Sequence, residues 1–429
     1  SAMHTGGSDG SEEPEKDGGK QEVDKFVIAN SQHKLLMNEQ LESFAQKVLM
    51  VLLAEAVSNT IYQVLTNGIY GASKLTSEQA LISRSVYAGF ITLYVPVASW
   101  LSAKSARAQK SDFVGLTLQL QAKACPVLLA WGWKDWAAQL DTWAGPAIWD
   151  ELIVAVTLTS LVACAQGLPC FAKFRAGLAA GGESDTILAR FVLWPNNLTL
   201  ALGYVWNMVA SFFVNKLQDL RPSYHYRFGV QLAYALVACF LVTLVTHLFQ
   251  KTLERKVDSS VAKSQSDFQE WSDVVKSTWA NLFVSALSFV YGWAILDTMD
   301  DWAFGVMYGC GGPSTCSYQQ NFSYALCITV FFSVGALVLR TWISFEEGGG
   351  LLKKAIMLQI NAMVLTTGWA WMNFYTAWTA EATSGIKEGE TIIVYIIVLV
   401  FLQVVVSIAN FVFQRTKLGL KRQRAKFIS

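Results

Sequence analysis

The sequence predicts an all-α polytopic membrane protein, with about ten transmembrane helices arranged as five repeated antiparallel hairpins. Two observations predict this fold class: a strongly apolar composition, and a Trp-containing pattern that recurs at the ends of apolar segments. Of the 429 residues, 53% are hydrophobic and only 15% are charged, whereas soluble domains average about one quarter charged residues. The lipid bilayer is therefore the first partner that the composition predicts.

Ten apolar runs are long enough to cross a bilayer, which takes about 20 residues in a helix. They cover residues 48–66, 86–103, 117–140, 150–170, 190–214, 228–249, 277–299, 322–344, 355–379 and 391–413. An even number of spans places both termini on one side. Lys and Arg concentrate in the connections after even-numbered runs and at the C-terminus, with Arg221 and Arg227 as the main exceptions. By the positive-inside rule, both termini are predicted to be cytoplasmic.

The repeated pattern is clearest in segments 292–302 and 368–378, which both begin with Gly-Trp and end with Trp. Segments 132–143 and 203–207 are looser copies, and residues 52–63 align with 128–139 without a gap. All copies fall at the outer ends of odd-numbered runs. We therefore predict that each odd-numbered span and the even-numbered span after it form one hairpin. The Trp side chains suit an aromatic belt at the headgroup level, and the glycines suit close helix packing.

The chain outside the spans is polar and short. Residues 1–30 are rich in Gly, Ser, Glu, Asp and Lys, a composition that predicts disorder. Residues 31–47 show helical spacing of apolar side chains, which indicates an amphipathic helix at the membrane surface. Residues 48–414 form the predicted transmembrane domain, and residues 415–429 form a basic cytoplasmic tail.

Cys310 and Cys316 are the two cysteines whose spacing suggests a pair, since turn-forming residues separate them. The predicted orientation places them on the outer, oxidising side, where a disulfide is stable. Two free thiols are the alternative. The predicted disulfide and the charge pattern together indicate a plasma membrane or another membrane of the secretory route.

Each odd-numbered run carries one ionisable or amide side chain near its outer end. These residues are Asn59, Asp135, Asn207, Asp297 and Asn373. Such groups are costly inside a membrane and mark pathways, pairs or functional contacts. If the five helices share an axis, the side chains would form one polar ring, which favours cations over anions. Lys134 beside Asp135 weakens the acidic character of the ring, although the two could pair.

Glu55 lies about midway along the first apolar run, with Ser58 one turn away. A carboxyl at this depth is suited to binding a cation or relaying protons. The alternative is a hydrogen-bonded Glu that only ties helices together. Glu55 and the five residues of the ring are thus the predicted solute pathway.

Composition and motifs exclude several other functions. The net charge of +1 and the scattered Lys and Arg argue against nucleic-acid binding, and four His give little basis for a metal or cofactor centre. No nucleophile elbow, phosphate-binding loop or HExxH motif is present, so no catalytic residue is predicted and an intramembrane enzyme is a weak third alternative.

The main functional prediction is a channel or transporter for a small solute, with a cation or proton favoured over an anion. The leading alternative is a non-transporting scaffold or sensor, whose Trp-rich outer ends bind lipid, pigment or a protein partner. Assembly into a homo-oligomer is compatible with either function.

Overall fold

The computed structural model describes residues 42, 44–66, 75–108, 113–144, 148–167, 194–221, 223–260, 267–344, 351–386 and 388–428. These residues are helical except for short turns. The predicted disordered segment 1–30 and most of the predicted surface helix 31–47 lie outside the described residues.

The described residues form ten helices, each of which overlaps one of the ten predicted apolar runs. They are α1 Phe44–Thr66, α2 Ser77–Ala108, α3 Phe113–Ala144, α4 Ile148–Gly167, α5 Trp194–Gln218, α6 Tyr224–Ser260, α7 Asp267–Asp300, α8 Tyr318–Ser344, α9 Leu351–Thr383 and α10 Glu388–Ile428. Within the described residues, six of the helices are long and apolar enough to cross a membrane, namely α1, α5, α6, α7, α8 and α10. The chain is therefore a helical membrane protein, and the count of ten spans stays a prediction.

The odd-numbered helices form an inner ring. Helix α5 packs against α3 and α7, and α7 packs against α9. Helix α1 lies between α9 and α3, because its Val51 contacts Gly368 of α9 and shares a buried cluster with Trp131 of α3. Half of each candidate span in α1, α5 and α7 is buried, compared with 28% in α6 and α8 and 17% in α10. The last three helices thus lie outside the ring and expose apolar side chains.

Glycines allow neighbouring inner helices to approach closely. A Cβ at Gly203 of α5 would lie 2.4 Å from Cβ of Phe289 on α7. A Cβ at Gly292 would lie 2.6 Å from the Leu365 side chain, and one at Gly368 would lie 2.8 Å from that of Val51. These distances are too short for any real Cβ. The glycines are therefore packing positions, as the sequence indicated.

Three tryptophans on the outer side of inner helices are here called the peripheral tryptophans. Each joins its own helix to the even-numbered helix that precedes it in the chain. Each indole N–H donates to a threonine hydroxyl, at 2.8 to 3.1 Å. The pairs are Trp133 with Thr92, Trp206 with Thr159, and Trp371 with Thr329. Each threonine hydroxyl in turn donates to the backbone carbonyl four residues earlier. The same short relay thus joins three pairs of helices.

The helix pairs differ from the predicted hairpins. Packing is extensive between α2 and α3, between α4 and α5, between α6 and α7, and between α8 and α9, whereas α3 and α4 barely touch. The tightly packed pair is therefore an even-numbered helix with the odd-numbered helix after it. A Trp–Thr bond acts within three of these four pairs, all except α6 with α7.

Helix α7 continues as a π-helix over Asp301–Met307 and ends in a compact loop. The loop holds Cys310 and Cys316 with their Cα atoms 5.4 Å apart, the separation that a disulfide requires. Gly311 adopts a positive φ of 82° beside the Tyr224 hydroxyl, a conformation that favours glycine. The predicted cysteine pair is thus positioned for bonding.

Candidate functional site: a polar centre inside the helix ring

Trp131, Trp293 and Trp369, here called the axial tryptophans, meet where the inner helices converge. The ring centroids of Trp293 and Trp369 are 4.3 Å apart, and those of Trp131 and Trp369 are 5.2 Å apart. The buried cluster around them includes side chains from all five odd-numbered helices. The axis of the ring is therefore filled by aromatic side chains.

The indole N–H groups of all three axial tryptophans are buried and have no hydrogen-bond partner within the described residues. Buried donors are nearly always paired in native proteins, and the three peripheral tryptophans are all paired. A buried donor that has no protein acceptor donates its hydrogen bond to an ordered water or to a ligand. Aromatic rings thus fill the axis, but their three indole N–H groups are still available to donate hydrogen bonds.

Glu55 lies on α1 beside this axis and is 8% exposed. Asn59, one turn later, donates from Nδ2 to Oε1 of Glu55 at 2.9 Å. The second oxygen, Oε2, has no hydrogen-bond partner in the described part of the chain. The indole of Trp131 faces the carboxyl group, without the geometry of a direct hydrogen bond. One side of the Glu55 carboxyl is therefore open to a small ligand, water or a proton.

Two half-buried cations, Arg84 and Lys134, and the acid Asp135 lie next to Glu55. Asp135 accepts from Arg84 at 2.9 Å and pairs with Lys134 at 3.2 Å. The Lys134 ammonium also lies 4.7 Å from the centre of the Trp369 ring, which adds a cation–π attraction. Glu55 is close enough to interact electrostatically with both Lys134 and Asp135. The four groups carry two positive and up to two negative charges, so the centre as a whole is close to neutral.

Asn207 and Asp297 belong to a second group, on the side of the ring that faces α6. The Tyr234 hydroxyl donates to Asn207 at 3.2 Å, and the Gln231 amide donates to Asp297 at 3.4 Å. Gln231 also joins Gln218 at 3.3 Å, which extends the network to the end of α5. This group is a hydrogen-bonded layer between inner and outer helices.

Asn373 belongs to a third group, where α7, α8 and α9 meet. Its side chain faces Asp300, and the Tyr324 side chain of α8 faces the same carboxyl group. The Tyr324 side chain is 2% exposed, and its hydroxyl has no hydrogen-bond partner within the described residues. Asp300 was not among the residues predicted from the sequence to form the pathway.

The structure places the predicted pathway residues in three groups, each with its own partners. It brings Glu55, Asn59 and Asp135 together, joins Asn207 to Asp297 through α6, and sets Asn373 beside Asp300. Side chains of even-numbered helices hold three of these residues: Arg84 pairs with Asp135, Gln231 donates to Asp297, and Tyr234 donates to Asn207. Lys134 pairs with Asp135, one of the possibilities that the sequence suggested.

Sequence reasoning missed Arg84, Gln231 and Tyr324, which come from even-numbered helices and have no recognisable spacing to their partners. It also missed the two roles of tryptophan. Trp131 and Trp133 are two positions apart, as are Trp369 and Trp371, and such residues project from opposite sides of a helix. This spacing was a usable signal, since it requires one ring of each pair to face the axis and the other to face outwards.

Among the described residues, no three His, Cys, Asp or Glu side chains are grouped so that they could hold a metal ion. Comparison with protein-family models, with curated proteins and with solved structures finds no match for the chain. The functional argument therefore rests on the site alone.

Proposed function

We propose that the protein moves a small solute across a membrane along the axis of the inner ring, with a proton or another cation favoured over an anion. The observation that carries the proposal is Glu55: a buried carboxyl group inside a membrane-spanning helix, beside the axial tryptophans, with one oxygen that has no partner in the part of the chain that the structure describes. An ionisable group at such a depth is costly. A purely structural Glu would be expected to use both oxygens.

The surroundings of Glu55 support a proton or hydrated cation as the solute. The unpartnered indole N–H groups of Trp131, Trp293 and Trp369 are suited to ordering water along the axis. Glu55 offers a group that can gain and lose a proton next to that water. Lys134 and Arg84 both form ion pairs with Asp135. The negative charge of Asp135 weakens the repulsion that these two side chains exert on a cation.

The proposed architecture is ten spans in repeated helix pairs with both termini in the cytoplasm, in the plasma membrane or another secretory-route membrane. The recurrence of the Trp–Thr relay in three pairs supports the repetition. The proposed partners are the bilayer and the solute, with a homo-oligomer compatible with both. The proposal includes no enzymatic activity, cofactor or nucleic acid.

The test is flux through the purified protein in liposomes under an imposed gradient and voltage. Glu55→Gln keeps the shape of the side chain but removes the ionisable group, and we expect it to reduce proton or cation flux by about tenfold or more, the factor given by 1.4 kcal/mol. Asp297→Asn tests the second group in the same assay. Glu381→Gln is the matched control, because that carboxyl is exposed near the end of α9.

Unchanged flux in the Glu55→Gln protein would remove the main residue of the proposal. Flux no greater than that of empty liposomes, with the protein verifiably folded, would favour a second function. In that case the protein is a scaffold or sensor that binds lipid, pigment or a protein. Trp143 and Trp149, both exposed at the facing ends of α3 and α4, are the observation that favours it, and a stoichiometric molecule that copurifies would support it.

A further inference from the structure

We propose a binding site for a small primary ammonium ion on the axis of the inner ring, at the place that the Lys134 ammonium group occupies in this structure. The rings of Trp131, Tyr204 and Trp369 surround that place and are here called the aromatic cage. The inference deepens the proposed function and rests on it, because it names the class of cation that the pathway carries.

The geometry of the cage is the first observation. The distance from Nζ of Lys134 to the ring centre is 4.7 Å for Trp369, 5.5 Å for Tyr204 and 5.6 Å for Trp131. A cation within about 6 Å of an aromatic ring centre is attracted by the ring quadrupole. The three rings belong to three different inner helices, so the fold brings them to one cation. Trp293 packs against both Tyr204 and Trp369, which stabilises the positions of these rings.

The charge beside the cage is the second observation, and it comes from other side chains. Asp135 pairs with Lys134 at 3.2 Å and with Arg84 at 2.9 Å. Glu55 also interacts electrostatically with Lys134. When Glu55 is ionised, the two carboxylates balance the two cations. Removal of the Lys134 ammonium would therefore leave one negative charge uncompensated beside three aromatic rings, and a positive charge is favourable there.

The surroundings define the class of cation. Ca²⁺ and Mg²⁺ take roughly six or more oxygen ligands, whereas the groups described around Lys134 are three rings and two carboxyl groups. A primary ammonium ion donates N–H bonds to carboxylates and presents its charge to aromatic rings. Lys134 is itself a primary alkylammonium, so the chain already holds one example of this class in the cage.

The structure also allows Lys134 to be replaced by a free ion. Its ammonium is carried on a flexible four-carbon stem, and Asp135 keeps Arg84 as a partner when Lys134 leaves. The Lys134 and Asp135 side chains are 13% and 17% exposed, so the cage is not sealed. Lys134 thus acts as a tethered competitor of the ion that the cage binds.

The first experiment measures binding without transport, by thermal unfolding of the purified full chain and of Lys134→Ala. Methylammonium chloride replaces NaCl stepwise at constant ionic strength. Because a ligand that binds only the folded state raises its stability, we expect the unfolding temperature of Lys134→Ala to rise and to saturate. The half-saturating concentration should be about tenfold or more below that of the unaltered chain, in which the tethered Lys134 competes.

Lys216→Ala is the matched control, because Lys216 is an exposed lysine whose ammonium lies 5.7 Å from one ring centre, that of Phe212. It should respond to methylammonium as the unaltered chain does. Lys134→Ser vacates the same place and can bond its hydroxyl within its own helix, so it replaces Lys134→Ala if that variant does not fold. A response of the Lys134 variants no larger than that of Lys216→Ala would overturn the proposal.

The second experiment separates this inference from the proposed function. Voltage-driven uptake of methylammonium and of Na⁺ into liposomes with the unaltered chain is compared at about pH 6, where alkylamines are almost fully charged and leak little through lipid. We expect methylammonium uptake to exceed Na⁺ uptake. Proton or Na⁺ flux with methylammonium uptake equal to that of empty liposomes would overturn this inference and leave the proposed function in place. Saturable binding to Lys134→Ala without flux of any cation would support the site and overturn the proposed function.

Discussion

The peripheral and axial tryptophans show how the same residue serves two purposes in one helix. Trp371 donates its indole N–H to Thr329 at 2.8 Å, whereas Trp369, two positions earlier on the same helix, has a buried N–H with no partner among the described residues. The same contrast separates Trp133 from Trp131. The peripheral indoles hold neighbouring helices together, and the axial indoles keep their donors available at the centre of the ring.

The difference teaches that hydrogen-bond satisfaction distinguishes tryptophans that burial alone would place in one class. Trp131 is among the largest side chains that are fully buried in the core. Burial alone would class it as structural. Its unpartnered donor, next to the open oxygen of Glu55, is what links it to the proposed pathway.

The largest loss of stability is expected from a substitution that forces the inner helices apart and leaves both sets of tryptophans unchanged. Gly203→Ala would place a Cβ 2.4 Å from Phe289 Cβ and 2.9 Å from a backbone oxygen of α7. We expect a loss of about 1 to 3 kcal/mol of unfolding free energy, typical of overpacking. Thermal unfolding of the purified protein measures it.

Gly229→Ala on α6 is the control for this prediction, since its Cβ would meet nothing within 4 Å. If Gly203→Ala is as stable as Gly229→Ala, the inner helices are farther apart than the structure indicates. The contrast between an axis and a periphery would then lose its geometric basis.

A smaller effect is expected from removing one peripheral bond. Trp371→Phe deletes the donor to Thr329, while the Thr329 hydroxyl keeps its bond to the Ala325 carbonyl. The loss should be about 0.5 to 1.5 kcal/mol, the net worth of one hydrogen bond. Thr329→Val should cost a similar amount, and the double variant should cost less than the sum because both changes remove the same bond. Trp342→Phe, at an exposed Trp of α8, is the control, and strict additivity would argue against the relay.

The smallest effect on stability is expected at the axis. Trp369→Phe loses the same volume as Trp371→Phe but breaks no hydrogen bond, so it should cost about 1 kcal/mol less. Its effect should instead be seen as a severalfold change in liposome flux, because the Trp369 ring fills the axis beside Lys134. Equal losses of stability with unchanged flux would show that the axial tryptophans are ordinary core residues.

Much of the fold could be predicted from the sequence, because apolar runs of membrane-spanning length are a strong signal. The cysteine pair and the packing glycines could also be predicted, since each depends on local spacing. Which helices pack together as pairs could not be predicted from the sequence. In three of the four pairs, the bond between the helices involves Thr92, Thr159 or Thr329, which have no distinctive neighbours in the sequence. Single threonines in apolar runs are common, and only the structure shows which of them meet an indole.

The candidate site was predicted in part for a related reason. Glu55 and Asp135 stood out because charge inside an apolar run is costly. Asp300 did not, because acids at a helix end are usually solvated, and its contact with Tyr324 of another helix has no signal in the sequence. The arrangement as one ring could not be tested from repetition alone, since repeated residues need not point in one direction.

The pairing of each even-numbered helix with the next one along the chain also bears on the order in which the molecule is assembled. The Trp–Thr bonds join residues 41 to 47 positions apart, so each pair can close soon after its second helix leaves the ribosome. The contact between Val51 and Gly368 must instead wait until most of the chain has been synthesised. We expect translation to produce finished helix pairs first and a sealed axis last, which would keep an incomplete chain from opening a conducting path.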